Sequence, residues 1–279
     1  IPSLRGNYRS VPMERLLKEA NELADQGVRE LILVAQETTL YGVDLYGKKM
    51  LPELLHKLAE IPGIYWIRIQ YCYPEEIYEE LIDAIARNEK VCHYLDLPIQ
   101  HANDEILRRM GRRTSKQELI DKIDFLRSEM PDITLRTTLI TGFPGETKEQ
   151  HKELLEFIND MEFDRLGVFT YSPEEGTPAA AMEHQIDEEG KLDRQAELME
   201  LQQDISAELG ERRIGQELLV MIEGKVADED AYVGRSQADA PGVDGYVFVN
   251  TPETLVSGDF VRVKITGALE YDLIGEISQ

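Results

Sequence analysis

Four consecutive polar residues, Gln36, Glu37, Thr38 and Thr39, follow an apolar run and precede a loop containing Tyr41-Gly42 and Tyr46-Gly47. Such a set can bind an amino-acid head group, because a carboxylate accepts from amides and hydroxyls while an ammonium needs carboxylate or carbonyl acceptors. The same residues can equally cap a helix or satisfy a turn. A second set, Thr141-Gly142-Phe143-Pro144-Gly145-Glu146-Thr147, leads from another apolar run into a helical pattern. It lacks the spacing and lysine of a phosphate loop. Its glycines let backbone approach the edge of a flat ligand such as adenine, although a turn before a helix start at Glu146 or Thr147 fits nearly as well. In Leu97-Pro98-Ile99-Gln100-His101 a lone histidine is more often structural than catalytic. From Tyr171 to Pro178, Glu174 and Glu175 lie on a Gly/Pro loop, as a lip for a basic partner or as solvated charge.

These sets follow strand-like segments, and in a βα barrel the active site lies at the C-terminal ends of the strands. Five strands are expected: Arg29 to Ala35, Ile64 to Tyr71, His93 to Leu97, Ile133 to Thr141 and Arg165 to Tyr171. They recur roughly 30 residues apart with helical patterns between them, the signature of repeated βα units and a parallel sheet. The helices are Pro12 to Gln26, Leu51 to Glu60, Pro74 to Asn88, a pair over Asn103 to Met130, and Thr147 to Met161. A closed eight-stranded barrel takes about 250 residues, so five strands predict an open, partial TIM-like barrel. A polar helix over 187–209 carries Leu192, Ala196 and Met199 on one series and Leu198, Leu201, Ile205 and Leu209 on another, and Gly210 ends it. Beyond Ile214 come short β-rich pieces at Glu217 to Val226, Tyr232 to Arg235, Gly245 to Val249, Phe260 to Thr266 and Leu273 to Ile277. They suggest a small all-β, OB-like barrel.

The charge narrows the partners. With 54 acids against 30 bases the chain carries -24, which disfavours a phosphate-binding surface and favours basic partners. Two cysteines, Cys72 and Cys92, cannot build a disulfide framework or complete a metal site alone, and read as buried small side chains. No run approaches the roughly 18 apolar residues of a membrane helix, and no secretory signal is visible. The expectation is a soluble, cytoplasmic protein. It begins at Ile1 without Met, followed by the turn-like Pro2 to Gly6, as a chain starting inside a longer protein would.

Six blocks in order, IPSLRGNYRS, AQETTLYGVDLYG, LDLPIQHANDEILRRMGRR, LRTTLITGFPGET, RLGVFTYSPEEGTPAA and GRSQADAPGVDG, resemble the methylthiotransferases of the radical S-adenosylmethionine (SAM) superfamily over essentially the whole chain. AQETTLYGVDLYG, FTYSPEEGTP and DAPGVDG resemble the branch acting on the small-subunit ribosomal protein S-twelve, rather than the branch acting on transfer RNA. The resemblance implies an N-terminal domain with one 4Fe-4S cluster, a radical barrel with a second, and a C-terminal TRAM domain. It divides this chain into a barrel core over 1–211, including the linker helix, and a TRAM domain over 212–279. The family's C-x-x-x-C-x-x-C motif is expected upstream of Ile1, and neither Cys72 nor Cys92 matches a cluster ligand. The chain is therefore expected to be a fragment that binds no cluster and is inactive alone.

By the same resemblance, Gln36, Glu37, Thr38 and Thr39 align with the motif holding the cofactor's methionyl amino group. Arg136 and the segment Ile140 to Phe143, with Gly142, align near its ribose and adenine. Gln100 and His101 align with a strand end lining the cavity. Placing Tyr171, Glu174 and Glu175 at the substrate mouth is an inference from the sequence and not a family assignment. The implied reaction cleaves S-adenosylmethionine at one cluster, abstracts hydrogen from the β-carbon of an aspartate, and adds a methylthio group. The tail tests the partner, for Arg212 to Gln279 holds six bases and twelve acids, a net of -6. That balance suits docking of a basic ribosomal protein better than a grip on RNA phosphates. The alternatives are methylthiolation of transfer RNA, whose binding would fall steeply with salt, and a non-enzymatic binding module.

Overall fold

The computed structural model describes residues 6–278, so the turn expected from Pro2 lies, apart from Gly6, outside the described residues. The chain divides into two units, one running up to Asp96 and including Leu126–Ile133, the other formed by Leu97–Phe125 and Thr134 onward.

In the first unit, α1 (Met13–Asp25), β1 (Glu30–Leu33), α2 (Leu51–Ala59), β2 (Trp66–Ile69), α3 (Glu79–Ala86) and β3 (Val91–Asp96) alternate. β1 pairs parallel with β2 and β2 parallel with β3. Every residue of β2 is buried, as a strand covered on both faces must be. That burial includes Arg68, whose Nε donates to Glu30 Oε1 at 2.8 Å and whose guanidinium stacks 4.7 Å from the Tyr94 ring centroid. Leu51, Leu54, Leu55 and Leu58 project from one side of α2 into the core.

The second unit holds α4 (Asp104–Arg109), α5 (Lys116–Glu129) as far as Phe125, β4 (Thr134–Thr141), α6 (Lys148–Met161), β5 (Arg165–Thr170), α7 (Glu188–Glu211) and the strands β6 (Glu217–Lys225), β7 (Ala231–Arg235), β8 (Val247–Asn250), β9 (Phe260–Ala268) and β10 (Leu273–Ile277). β4 and β5 run parallel in unbroken register from Arg136 opposite Arg165 to Thr141 opposite Thr170. β6 to β10 close into a barrel in the order β10-β8-β7-β6-β9, around Val220, Ile222, Tyr232, Val247, Val249, Val263, Ile265 and Leu273.

α7 differs from expectation in two respects. Leu192 is 57% exposed, whereas Lys191, Gln202 and Ser206 lie buried beside Leu198 and Ile205. The polar burial has a cause at the edge of β5: Gln195 Nε2 donates to Val168 O at 2.6 Å, and Gln202 Nε2 to Phe163 O at 2.8 Å. Carbonyls along and beside a strand need donors wherever a helix shields them from water. Nor does Gly210 end the helix, which continues to Glu211. A Cβ there would come within 3.2 Å of Ala268 Cβ on β9, so the glycine serves close approach of helix and barrel.

Charged side chains within the second unit tie the tail to the strands before it. Arg136 Nη1 meets Asp244 Oδ1 at 2.5 Å and Arg165 Nη2 meets Asp239 Oδ1 at 2.6 Å. Both carboxylates are almost wholly buried.

Candidate functional site

At the exit of β1 the polar quartet splits. Gln36 is exposed, while Glu37, Thr38 and Thr39 are buried. The Glu37 carboxylate accepts from Thr39 N at 3.0 Å, from the Thr39 hydroxyl, and from Tyr73 N at 2.7 Å. Thr38 Oγ1 donates to Gln70 O at 2.5 Å, and Thr38 N to Tyr71 O. These bonds cap the single 3-10 turn Thr38–Leu40 and lash it to the exit of β2. Burial pushes the Glu37 carboxyl above its ordinary range, against the lowering effect of its hydrogen bonds. Tyr71, at that β2 exit, adopts a left-handed φ of 59°.

The second unit builds a different strand end. Gln100 follows β3 with a left-handed φ of 71°, its N–H donating to Thr138 O and its carbonyl accepting from Ile140 N. Strained backbone of this kind persists only where its surroundings hold it. His101 is wholly buried, and its Nδ1 accepts from Asn103 N at 2.9 Å. In a neutral imidazole that leaves the proton on Nε2, which faces Glu146 Oε1 at 4.0 Å.

Glu146 organises the loop after β4. Its Oε2 accepts from Gly142 N at 2.6 Å and Phe143 N at 3.1 Å. Around its Oε1 stand Arg194 Nη1 at 3.1 Å, His151 Nδ1 at 3.5 Å and His101 Nε2 at 4.0 Å. Burial alone would raise its pKa, but His101, His151 and Arg194 together hold it down to about 2. The next residue, Thr147, starts α6 with a reciprocal capping box to Gln150. Phe143 lies edge-on to Tyr171 with ring centroids 5.3 Å apart, and the Arg109 guanidinium stands 5.9 Å from the Phe143 centroid.

Residues 1–158 match the family model of the radical SAM superfamily. The chain belongs to the radical SAM superfamily. Residues 214–277 match the TRAM domain. A Lachnoclostridium phytofermentans protein named ribosomal protein uS12 methylthiotransferase RimO is 63% identical over 275 residues, covering 99% of this chain and 62% of that one. A Clostridioides difficile protein of the same name is 50% identical over 277 residues, with the same shares. The chain thus spans 62% of the length of these relatives. The Escherichia coli coproporphyrinogen III oxidase HemN, described as a radical SAM enzyme, matches with a TM-score of 0.52 at 17% identity, over 81% of this chain and 60% of that one. That likeness concerns the fold.

Within the radical SAM fold the second unit brings together Gln100, Ile140, Gly142, Phe143 and Tyr171. Backbone bonds link Gln100 to Ile140 and Tyr171 N to Thr141 O, and the two rings touch. Glu174 and Glu175 are exposed on the following loop, where Glu174 O accepts from Thr177. Arg136 stands apart, near the opposite end of β4 and engaged with Asp244. Sequence reasoning missed Glu146 as the anchor of the strand-end loop, together with His151 and Arg194. The pair Thr147 and Gln150 was the available signal that the helix starts after Glu146, freeing that side chain for the loop. His151 and Arg194 sit in helical patterns in which no local signal marks them.

Proposed function

We propose that this chain carries the radical barrel and TRAM domain of a methylthiotransferase that modifies the β-carbon of an aspartate in the small-subunit ribosomal protein uS12. The observation that carries the reading is likeness to the named relatives across both parts of the chain at once. The acid balance supports a basic protein partner over a nucleic acid, since both the whole chain at -24 and the tail at -6 are acidic. We place the protein in the cytoplasm with its ribosomal substrate; among the described residues no helix is long and apolar enough to cross a membrane.

The family implies S-adenosylmethionine, and the strand end after β4 fits it. Gly142 and Phe143 present backbone fixed by Glu146, and the buried Thr141 Oγ1 and Tyr171 Oη have no partner. Gln100, Ile140, Gly142 and Phe143 are the cofactor-binding residues of this proposal. Tyr171, Glu174 and Glu175 face substrate; of the quartet Gln36 to Thr39 expected at the methionyl amino group, the exposed Gln36 is the member left to a ligand, since Glu37, Thr38 and Thr39 are bonded within their own turn and to the β2 exit. Arg136 is assigned to holding the TRAM domain instead of the ribose. Reductive cleavage of the bound cofactor supplies hydrogen abstraction, while the chain's own residues bind, orient and exclude water.

Iron-sulfur ligands do not fit the described residues. No group of three His, Cys, Asp or Glu side chains there can hold a metal. Cys72 and Cys92 are wholly buried, and burial pushes the Cys72 thiol well up, away from the thiolate a cluster needs.

The test is anaerobic incubation of the full-length protein with reductant, S-adenosylmethionine and either a uS12 loop peptide or transfer RNA. Mass spectrometry is expected to find one methylthio group on the aspartate of the peptide. Modification of the RNA alone would overturn the assignment.

A further inference from the structure

Three buried polar groups around Gly142 lack the partners their chemistry calls for. The first is Lys191, near the start of α7, whose side chain is 3% exposed and whose Nζ lies 2.6 Å from Oε1 of Glu188. Glu188 is itself 76% exposed. An ammonium has three donors, and this is its single hydrogen bond among the described residues. The others are Tyr171 Oη and Thr141 Oγ1, both shielded and without a hydrogen-bond partner. The three residues adjoin one another, for Tyr171 N donates to Thr141 O at 2.9 Å and Lys191 Nζ lies 5.6 Å from the Tyr171 ring centroid. The Lys191 stem lies against Gly142, where a Cβ would collide with it and φ is 71°. Only glycine permits both the turn and the contact.

Buried polar groups left unpaired destabilise a fold, more so when charged, so a cluster of them calls for an explanation. We propose that Lys191, Tyr171 and Thr141 form a subsite for a carboxylate. All three groups can donate, and a carboxylate is the acceptor-only group whose single negative charge one ammonium balances. Glu188 does not fill this role. Its exposed carboxylate keeps its water and engages one of three donors.

The identity of the carboxylate rests on the proposed function. That reaction brings two to the site, the methionyl carboxylate of the cofactor and the side chain of the target aspartate. The full-length protein is titrated calorimetrically with S-adenosylmethionine and with two uS12 loop peptides, one carrying the target aspartate and one carrying asparagine in its place. Lys191→Met is expected to weaken the carboxylate ligand about 10- to 100-fold, in line with a charge-assisted hydrogen bond. Lys191→Arg recovers part of it. Tyr171→Phe, which removes one hydroxyl and keeps the ring, gives a smaller loss and serves if Lys191→Met melts early. Loss of preference for aspartate over asparagine assigns the subsite to the substrate, and weaker cofactor binding with that preference intact assigns it to the cofactor. Affinities for all three ligands unchanged in both Lys191→Met and Tyr171→Phe would overturn it. A wild-type protein that binds neither peptide, with cofactor binding still dependent on Lys191, would remove the proposed substrate and keep the subsite.

Discussion

The exits of β1 and β4 carry similar residues, threonines beside a glutamate, and use them in opposite ways. At the β1 exit Glu37, Thr38 and Thr39 bond to one another and to the exit of β2. At the β4 exit Glu146 is taken up by backbone and by Arg194, while Thr141 Oγ1 and Tyr171 Oη stay without partners. Polar residues at a barrel's strand ends are thus of two kinds. A closed set of bonds fixes a turn, whereas an open set leaves capacity for a ligand. The glutamates show the contrast in charge, for burial wins at Glu37 and raises its pKa, while two histidines and an arginine win at Glu146 and lower it.

Glu146→Ala is the harshest way to break this contrast, because it leaves Arg194 part-buried beside the loop without its carboxylate. The expected loss is about 3–5 kcal/mol, as for breaking a buried pair, read from the urea midpoint at constant slope. A loss below about 1 kcal/mol would mean the loop holds without its anchor.

Acid titration of stability separates the two glutamates by sign. The folded pKa of Glu146 is depressed to about 2, so its contribution is present above the ordinary carboxylate value near 4.5 and is lost as pH falls from there through about 2. Its size is on the order of 3 kcal/mol. The raised pKa of Glu37 acts the other way, since its folded form holds its proton more tightly and stability falls as pH rises through its titration. Glu146→Gln should remove acid sensitivity and Glu37→Gln should remove the opposing slope; identical profiles for both would erase the distinction.

Thr39→Val tests the closed set more gently. It takes one donor from a carboxylate in a site of 0% exposure, and about 1–3 kcal/mol should be lost in the same denaturation assay. Thr141→Val is the smallest effect and the sharpest contrast. Its hydroxyl has no partner to lose, so stability should stay level or rise by up to about 1 kcal/mol. A loss as large as that of Thr39→Val would show that the β4 exit is closed after all.

The strands were legible from sequence because strands covered on both faces read as unbroken apolar runs, as β2 does around its one buried arginine. The β-barrel strands were legible from turn residues and alternation. α7 was harder. Its buried side holds Lys191, Gln202 and Ser206, chosen by the carbonyls and loop they meet, and no helical periodicity reports such partners. Arg136 is a related case, since its partner Asp244 lies 108 residues away in sequence and no local pattern reports the pair. Phe143, Gly142 and Tyr171 were visible as strand-end residues, but the glutamate that holds their loop looked like part of a turn.

The two arginine-aspartate pairs under β4 and β5 have a mechanical consequence. β4 is gripped at Arg136 by Asp244 and ends five residues later at Thr141, roughly 17 Å along an extended strand. A strand paired throughout that length to β5, itself gripped at Arg165 by Asp239, behaves as a stiff rod. Torque on the C-terminal barrel would therefore reach the Gly142 loop as displacement, with no hinge along the rod to absorb it.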